Sequence, residues 1–150
     1  MNKNREQAEV EIEKLLGVIG QLQKSKSKEI LNRFDCSISQ FSILQVLSSN
    51  PKMQTTVVEL SRILEINMSQ ATATRSVAAL VEKKYLASEP HPRDKRQSLI
   101  TITHEGLSRF KVLYRELTDV TDKTYKQWST EELYQFKRFL SDIAELIKQR

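Results

Sequence analysis

Between positions 93 and 96 the chain places three cations and one carboxylate side by side, Arg93-Asp94-Lys95-Arg96. Pro90 and Pro92 stand just ahead of them and stiffen the approach. A rigid basic tip of this kind can grip phosphates or enter a minor groove. Upstream lies a second cluster. Ser69, Gln70, Thr72, Arg75 and Ser76, with Ala79, fall on the face of a helical segment opposite Ala73, Val77, Leu80 and Val81. Short hydroxyl side chains let a helix approach closely, and a major groove about 12 Å wide admits a helix. Gln70 has the donor–acceptor pair that matches adenine, and Arg75 suits guanine or phosphate. Each cluster also has a plainer reading, as a solvated helix face or a solvated loop. From Lys52 to Thr103 there are 8 basic and 5 acidic residues, so this stretch carries +3 of the chain's net +5. That bias, with a pI near 9.3, fits a polyanionic partner.

Other chemistries find little support in the 150 residues. The single cysteine, Cys36, cannot close an internal disulfide, which fits a reducing, cytoplasmic setting. Cys36, His91 and His104 are a poor stock for a zinc site, so neither a metal nor a cofactor is expected. With 3 glycines there is no phosphate loop or dinucleotide fingerprint. No Ser/His/Asp or Cys/His set points to catalysis, so no enzyme is expected. The polar N-terminus lacks the apolar stretch of a signal peptide, and no run is long enough to span a membrane.

The elements that must position the two clusters are mostly helices. A first helix, about Glu6 to Leu31, carries Ala8, Ile12, Leu15, Leu16, Ile19 and Leu22 on one stripe. Such a helix needs a partner to cover that stripe. Ser39 is expected to cap a second helix, Gln40 to Ser48, with Phe41, Leu44 and Leu47 inward. Asn50-Pro51 reads as a turn. Thr55 or Thr56 caps a third helix with Val57, Leu60, Ile63 and Leu64 inward, and Asn67 caps a fourth running to about Lys83. The period then changes. Tyr85–Glu89 and Ser98–Thr103 read as the strands of a hairpin with the basic tip between them. Thr103 caps a fifth helix reaching about Trp128. Ser129-Thr-Glu-Glu132 is a capping-box pattern opening a sixth, with Leu133, Phe136, Leu140, Ile143 and Ile147 on one seam. Tyr114, Tyr125 and Trp128 read as core or interface aromatics rather than the lining of a pocket.

This ordered set resembles the MarR family of winged helix-turn-helix regulators. Ser39-Gln-Phe41 with Leu44 and Leu47 is similar to the start of that family's second helix, and Thr56-Val-Val-Glu-Leu60 to the start of its third. Thr74-Arg75 followed by Leu80 resembles its recognition helix. Asp94-Lys-Arg96 resembles the wing, and Leu99-Ile-Thr-Ile-Thr103 with Gly106 the strand and helix that follow it. The likeness covers roughly Ser39 to Phe110. Two departures stand out: Lys84 occupies a turn where the family usually has glycine, and the interval from Leu60 to Arg75 is about two residues longer than the family pattern leads one to expect.

The resemblance implies a mainly α protein with a small β-hairpin wing, a winged helix-turn-helix flanked by long dimerisation helices. It implies one domain over 1–150, with a dimerisation lobe (1–38 and 104–150) and a DNA-binding lobe (39–103). Arg96 would enter the minor groove, oriented by a salt bridge to Asp94. Thr74 and Arg75 would lie on the recognition helix. The expected DNA-binding set is therefore Ser69, Gln70, Thr72, Thr74, Arg75, Ser76, Arg93, Asp94, Lys95 and Arg96. The expected partners are double-stranded DNA, a second copy in a homodimer and a small-molecule effector. The expected role is a sequence-specific regulator, a repressor, at an inverted-repeat operator. Relatives that sense peroxide or zinc suggest roles for Cys36 or the histidines, but a buried thiol and ordinary surface histidines fit this sequence better. The alternative is a winged-helix module that binds a protein and not a DNA sequence.

Overall fold

The computed structural model describes residues 3–64 and 68–149. Low glycine and proline content lets the apolar periodicities run unbroken, and the elements follow them. In chain order they are α1 (Lys3–Arg33), α2 (Ile38–Ser49), β1 (Gln54–Thr56), α3 (Val57–Leu64), α4 (Gln70–Glu82), β2 (Leu86–Pro90), β3 (Ser98–Ile102), α5 (His104–Tyr125) and α6 (Thr130–Lys148). They fall into two compact units, Met1–Tyr114 and Arg115–Arg150.

In the first unit a core forms where α2, α3 and α4 meet the sheet. Ile43, Leu44 and Leu47 from α2, Leu60 from α3, and Ala73, Val77 and Leu80 from α4 are buried against Leu86, Ile100 and Ile102. Each large aliphatic side chain buried there contributes about 1.5–3 kcal/mol over leaving it in water. The sheet is antiparallel in the order β1-β3-β2. Thr55 pairs with Ile100 on one side of β3, and Ala87 pairs with Thr101 on the other. The β2–β3 hairpin is where the sequence placed it. β1 is an addition: three residues after the Asn50-Pro51 turn are too short to show a period. The turn closes through Met53 N–H to Asn50 C=O at 2.9 Å, with Met53 at φ 53°.

Several boundaries differ from the sequence reading. The α2 cap is Ser37 and not Ser39. Ser37 Oγ accepts from Gln40 N–H, and the Gln40 side chain returns to the Ser37 N–H. Ser37 has a glutamine three residues on; Ser39 has a serine there and cannot close the reciprocal pair. Thr56 does cap α3, its Oγ1 accepting from Glu59 N–H at 3.1 Å. Ile63, expected inward, is 46% exposed, because a helix of only two turns presents a narrow face to the core. Asn67, expected to cap α4, lies outside the described residues, and the described helix is capped by Ser69.

α1 is 31 residues long, about 46 Å at 1.5 Å per residue. Of its apolar residues only Leu31, near the end, is buried, while Ile12, Leu15, Ile19 and Leu22 are exposed. In the second unit the Ser129–Glu132 capping box opens α6 as expected. Trp128 meets Phe136 edge to face at 5.5 Å, and Leu140 and Ile147 of the predicted seam are exposed. Among the described residues no helix is long and apolar enough to cross a membrane.

Candidate nucleic-acid interface

The first cluster sits at the start of α4. Ser69 Oγ accepts from Thr72 N–H at 3.2 Å and pairs with Thr72 Oγ1 at 2.9 Å. Thr74 Oγ1 donates back to Gln70 C=O at 2.9 Å. These local bonds fix three hydroxyl side chains, Ser69, Thr72 and Thr74, at the start of the helix. Gln70, Ala71, Thr74, Arg75 and Ala78 are exposed, and Thr72 is half-buried. They form a stripe with i, i+1, i+4, i+5 and i+8 spacing, which is one helix face. Ala71 and Ala78 were not singled out from the sequence, yet their small side chains widen the approach to that face. Ser76 is a correction: it is 8% exposed. It stands three residues after Ala73 and four before Leu80, so the helical period turns it inward with them.

The second cluster is the tip of the β2–β3 hairpin. His91 N–H donates to Gln97 C=O, and Gln97 N–H to Asp94 C=O, both at 2.9 Å. His91 Nδ1 accepts from the backbone N–H groups of Arg93 (3.2 Å) and Asp94 (3.3 Å). Asp94 Oδ1 accepts from both the backbone N–H and the Nε of Arg96, each at 3.1 Å, while Gln97 Nε2 donates to Oδ2 at 3.3 Å. The Arg96 side chain is held at its root yet 92% exposed. The side-chain hydrogen bond from Arg96 holds the Asp94 carboxyl below its ordinary value, helped by the Arg96 backbone N–H, Gln97 and the nearby His91. Arg93 and Lys95 are exposed beside it. The ion pair drawn from the family likeness is therefore present, and the tip presents a preset guanidinium rather than a floppy one.

The far end of α4 is fixed by a tight exit. Lys84 N–H donates to Val81 C=O and Tyr85 N–H to Leu80 C=O, both at 2.9 Å, the paired bonds of a Schellman motif. Lys84, in the glycine position of that motif, sits at φ 63°. Thr103 Oγ1 lies 2.8 Å from Lys84 C=O and 3.1 Å from Tyr85 C=O, and accepts from Gly106 N–H at 3.0 Å. Gly106 is needed for contact and not for conformation: a Cβ there would lie 2.1 Å from the Tyr85 carbonyl oxygen. Residues 65–67, within the long Leu60–Arg75 interval, lie outside the described residues.

Cys36 is buried, and desolvation raises its thiol pKa, partly offset by Lys83 and Arg109. No group of three or more potential metal-binding side chains occurs among the described residues.

A helix pair in the order α3–α4, with α4 presenting a polar face, followed by a basic hairpin, defines a winged helix-turn-helix. Residues 34–97 match the model of the MarR family. No curated protein matches the chain in sequence. Among solved structures, a MarR family protein from Bacillus stearothermophilus is 24% identical, with 99% of each chain covered and a TM-score of 0.73. A mutant of Escherichia coli MarR complexed with operator DNA is 22% identical, covering 89% of this chain and 94% of its own, with a TM-score of 0.65. A mutant of S. aureus MepR bound to an oligodeoxyribonucleotide is 20% identical, covering 91% and 97%, with a TM-score of 0.64. The resemblance read from the sequence therefore holds: this chain has the MarR-type winged-helix fold, and its family match spans the α1–α2 corner through the tip of the wing.

Proposed function

We propose that this protein is a sequence-specific DNA-binding transcriptional regulator acting as a homodimer, a repressor at an inverted-repeat operator. The observation that carries this reading is the wing: Arg96 projects 92% exposed while one oxygen of Asp94, Oδ1, accepts from both its backbone N–H and its Nε. An exposed, pre-oriented guanidinium suits a narrow, electronegative minor groove. Gln70, Thr74 and Arg75 on α4 would meet base edges or phosphates in the adjacent major groove, with Ser69 and Thr72 setting the helix start. Arg93 and Lys95 would add phosphate contacts, which make affinity fall steeply with salt. Two similarly folded proteins are described in complex with DNA, E. coli MarR with operator DNA and S. aureus MepR with an oligodeoxyribonucleotide, which supports the same use of this surface.

The dimer is supported by the uncovered apolar stripe of α1 and by the exposed Leu140, Leu146 and Ile147 of α6, more apolar surface than a lone helix leaves in water. Two-fold symmetry would place the two reading heads on half-sites about one helical turn, ~34–36 Å, apart. A small-molecule effector belongs to the proposal as the release signal; it must bind the free and DNA-bound forms with different affinity.

Selection from a random duplex pool, followed by salt titration of the winners, tests the reading. An enriched inverted repeat with a steep salt slope is the expected result. Weak binding without sequence preference overturns it in favour of a winged-helix module that recognises protein.

A further inference from the structure

The end of α1 is closed by backbone bonds from the corner that follows it, Phe34 N–H to Leu31 C=O and Asp35 N–H to Asn32 C=O, both at 3.1 Å. Two cations from other elements bind the carbonyls of that corner. Arg109, on α5 one turn beyond Gly106, donates from Nη2 to Phe34 C=O at 2.7 Å. Its guanidinium lies over the Phe34 ring at 5.0 Å and near the Tyr85 ring at 6.0 Å. Lys83, the C-cap of α4, donates from Nζ to Asp35 C=O and to Gln40 Oε1 at 3.4 Å. The same ammonium is 3.2 Å from Asp35 Oδ2. Asp35 itself takes φ 50°, so the α1–α2 corner turns its carbonyls toward these donors. The Nε of Arg109 is buried without a hydrogen-bond partner among the described residues: the side chain gives up one bond to keep its stacked position.

We propose that Lys83 and Arg109 are positioning residues that bind the end of α1 to the exit of α4, so that the direction of α1 sets the placement of the reading helix. This rests on the DNA-binding reading above. The physical logic is that of a lever. α1 leaves most of its length uncovered, and its last turn is where it is held. Lys83 joins the corner bonded to that turn to the α4 C-cap, and Arg109 joins the same corner to Tyr85, the residue after the Lys84 exit. A tilt of α1 cannot be absorbed at the corner without breaking charge-assisted bonds, so it passes to α4.

The test uses Lys83→Met, which keeps the packing of the stem and removes the ammonium, and Lys83→Arg, which restores a cation. Native-state amide exchange is measured on the full chain. In Lys83→Met, exchange should quicken about tenfold at both the 31–36 corner and the 80–85 exit, the size of one charge-assisted hydrogen bond. Lys83→Arg should return toward wild type. Arg109→Lys, which loses the fork and the stacking, should quicken the same two segments. The functional readout is binding to duplexes whose half-sites differ in spacing by single base pairs. Wild type should prefer one spacing, and Lys83→Met should flatten that preference while affinity for an isolated half-site stays unchanged. A merely structural role would instead lower affinity for every spacing alike, together with thermal stability. Unchanged exchange at the 31–36 corner, or an unflattened spacing preference, overturns the proposal. A wild-type protein with no sequence preference defeats the DNA-binding reading alone, and the exchange data still decide whether Lys83 ties the two helices.

Discussion

Replacing Lys84 with glycine should make the protein more stable. Lys84 holds φ 63° at the exit of α4, in the left-handed region where a Cβ crowds the following carbonyl at a cost of about 1–2 kcal/mol. Glycine removes that strain, and its greater freedom in the unfolded chain takes back about 0.5–1 kcal/mol. The net gain is about 0.5–1 kcal/mol, which for a chain of this size raises Tm by roughly 1–4 °C. The side chain is exposed, and the Schellman bonds are made by the backbone, so nothing else is lost. Thermal unfolding followed by circular dichroism, at matched protein concentration because association shifts Tm, measures the change. Lys84→Ala is the control. It removes the charge but keeps the Cβ, so it should give no comparable gain. A glycine variant no more stable than the alanine variant would refute the strain argument. Equal gains in both would assign the effect to relief of charge in a basic segment.

Gly106→Ala should destabilise by about 1–3 kcal/mol, as overpacking does, because the new Cβ would stand 2.1 Å from the Tyr85 carbonyl oxygen; urea unfolding reads this, and an unchanged midpoint would show that α5 shifts freely. Arg96→Ala should cost at least ~1–3 kcal/mol of DNA binding with Tm unchanged, and unchanged affinity in a titration of the selected duplex would refute the wing assignment. The Asp94 carboxyl lies below its ordinary value, first through the Arg96 side-chain bond. The order it gives the wing is thus complete above the ordinary carboxylate range and is lost as pH falls through the lowered value. The Arg96 Nε–H resonance should stay protected from neutral pH down to that range, and an earlier loss would contradict the pairing. Burial raises the Cys36 thiol, so a thiol reagent at mildly alkaline pH should modify it slowly in the native protein and rapidly in urea.

What the sequence made legible is what local rules govern. The Asp94–Arg96 pair is two residues apart on a hairpin tip, and the Ser129–Glu132 box is three apart on one helix, so both could be read without knowing what lies across the core. The α4 face was legible in its polar members except Ser76, where a polar residue type outweighed a position between Ala73 and Leu80, while Ala71 and Ala78 carry no polar signal and are exposed on it all the same. The Ser37 cap is legible through Gln40, whereas Ser39 has only its residue type to suggest a cap. Contacts between distant segments gave no such signal. Lys83 and Asp35 are 48 residues apart, and Arg109 and Phe34 are 75 apart; a lysine in a basic run and an arginine on an amphipathic helix look like ordinary solvated cations until the fold brings carbonyls to them. Lys84 lies between the two cases. As a departure from the glycine expected at that turn it was visible in the sequence, and the backbone explains why the departure matters. The motif there needs a left-handed residue whatever the side chain, because Tyr85 must leave α4 in the one direction that meets Thr103 and Gly106. The fold keeps that turn at a cost in strain, since moving it would carry the reading helix and the wing out of register with each other.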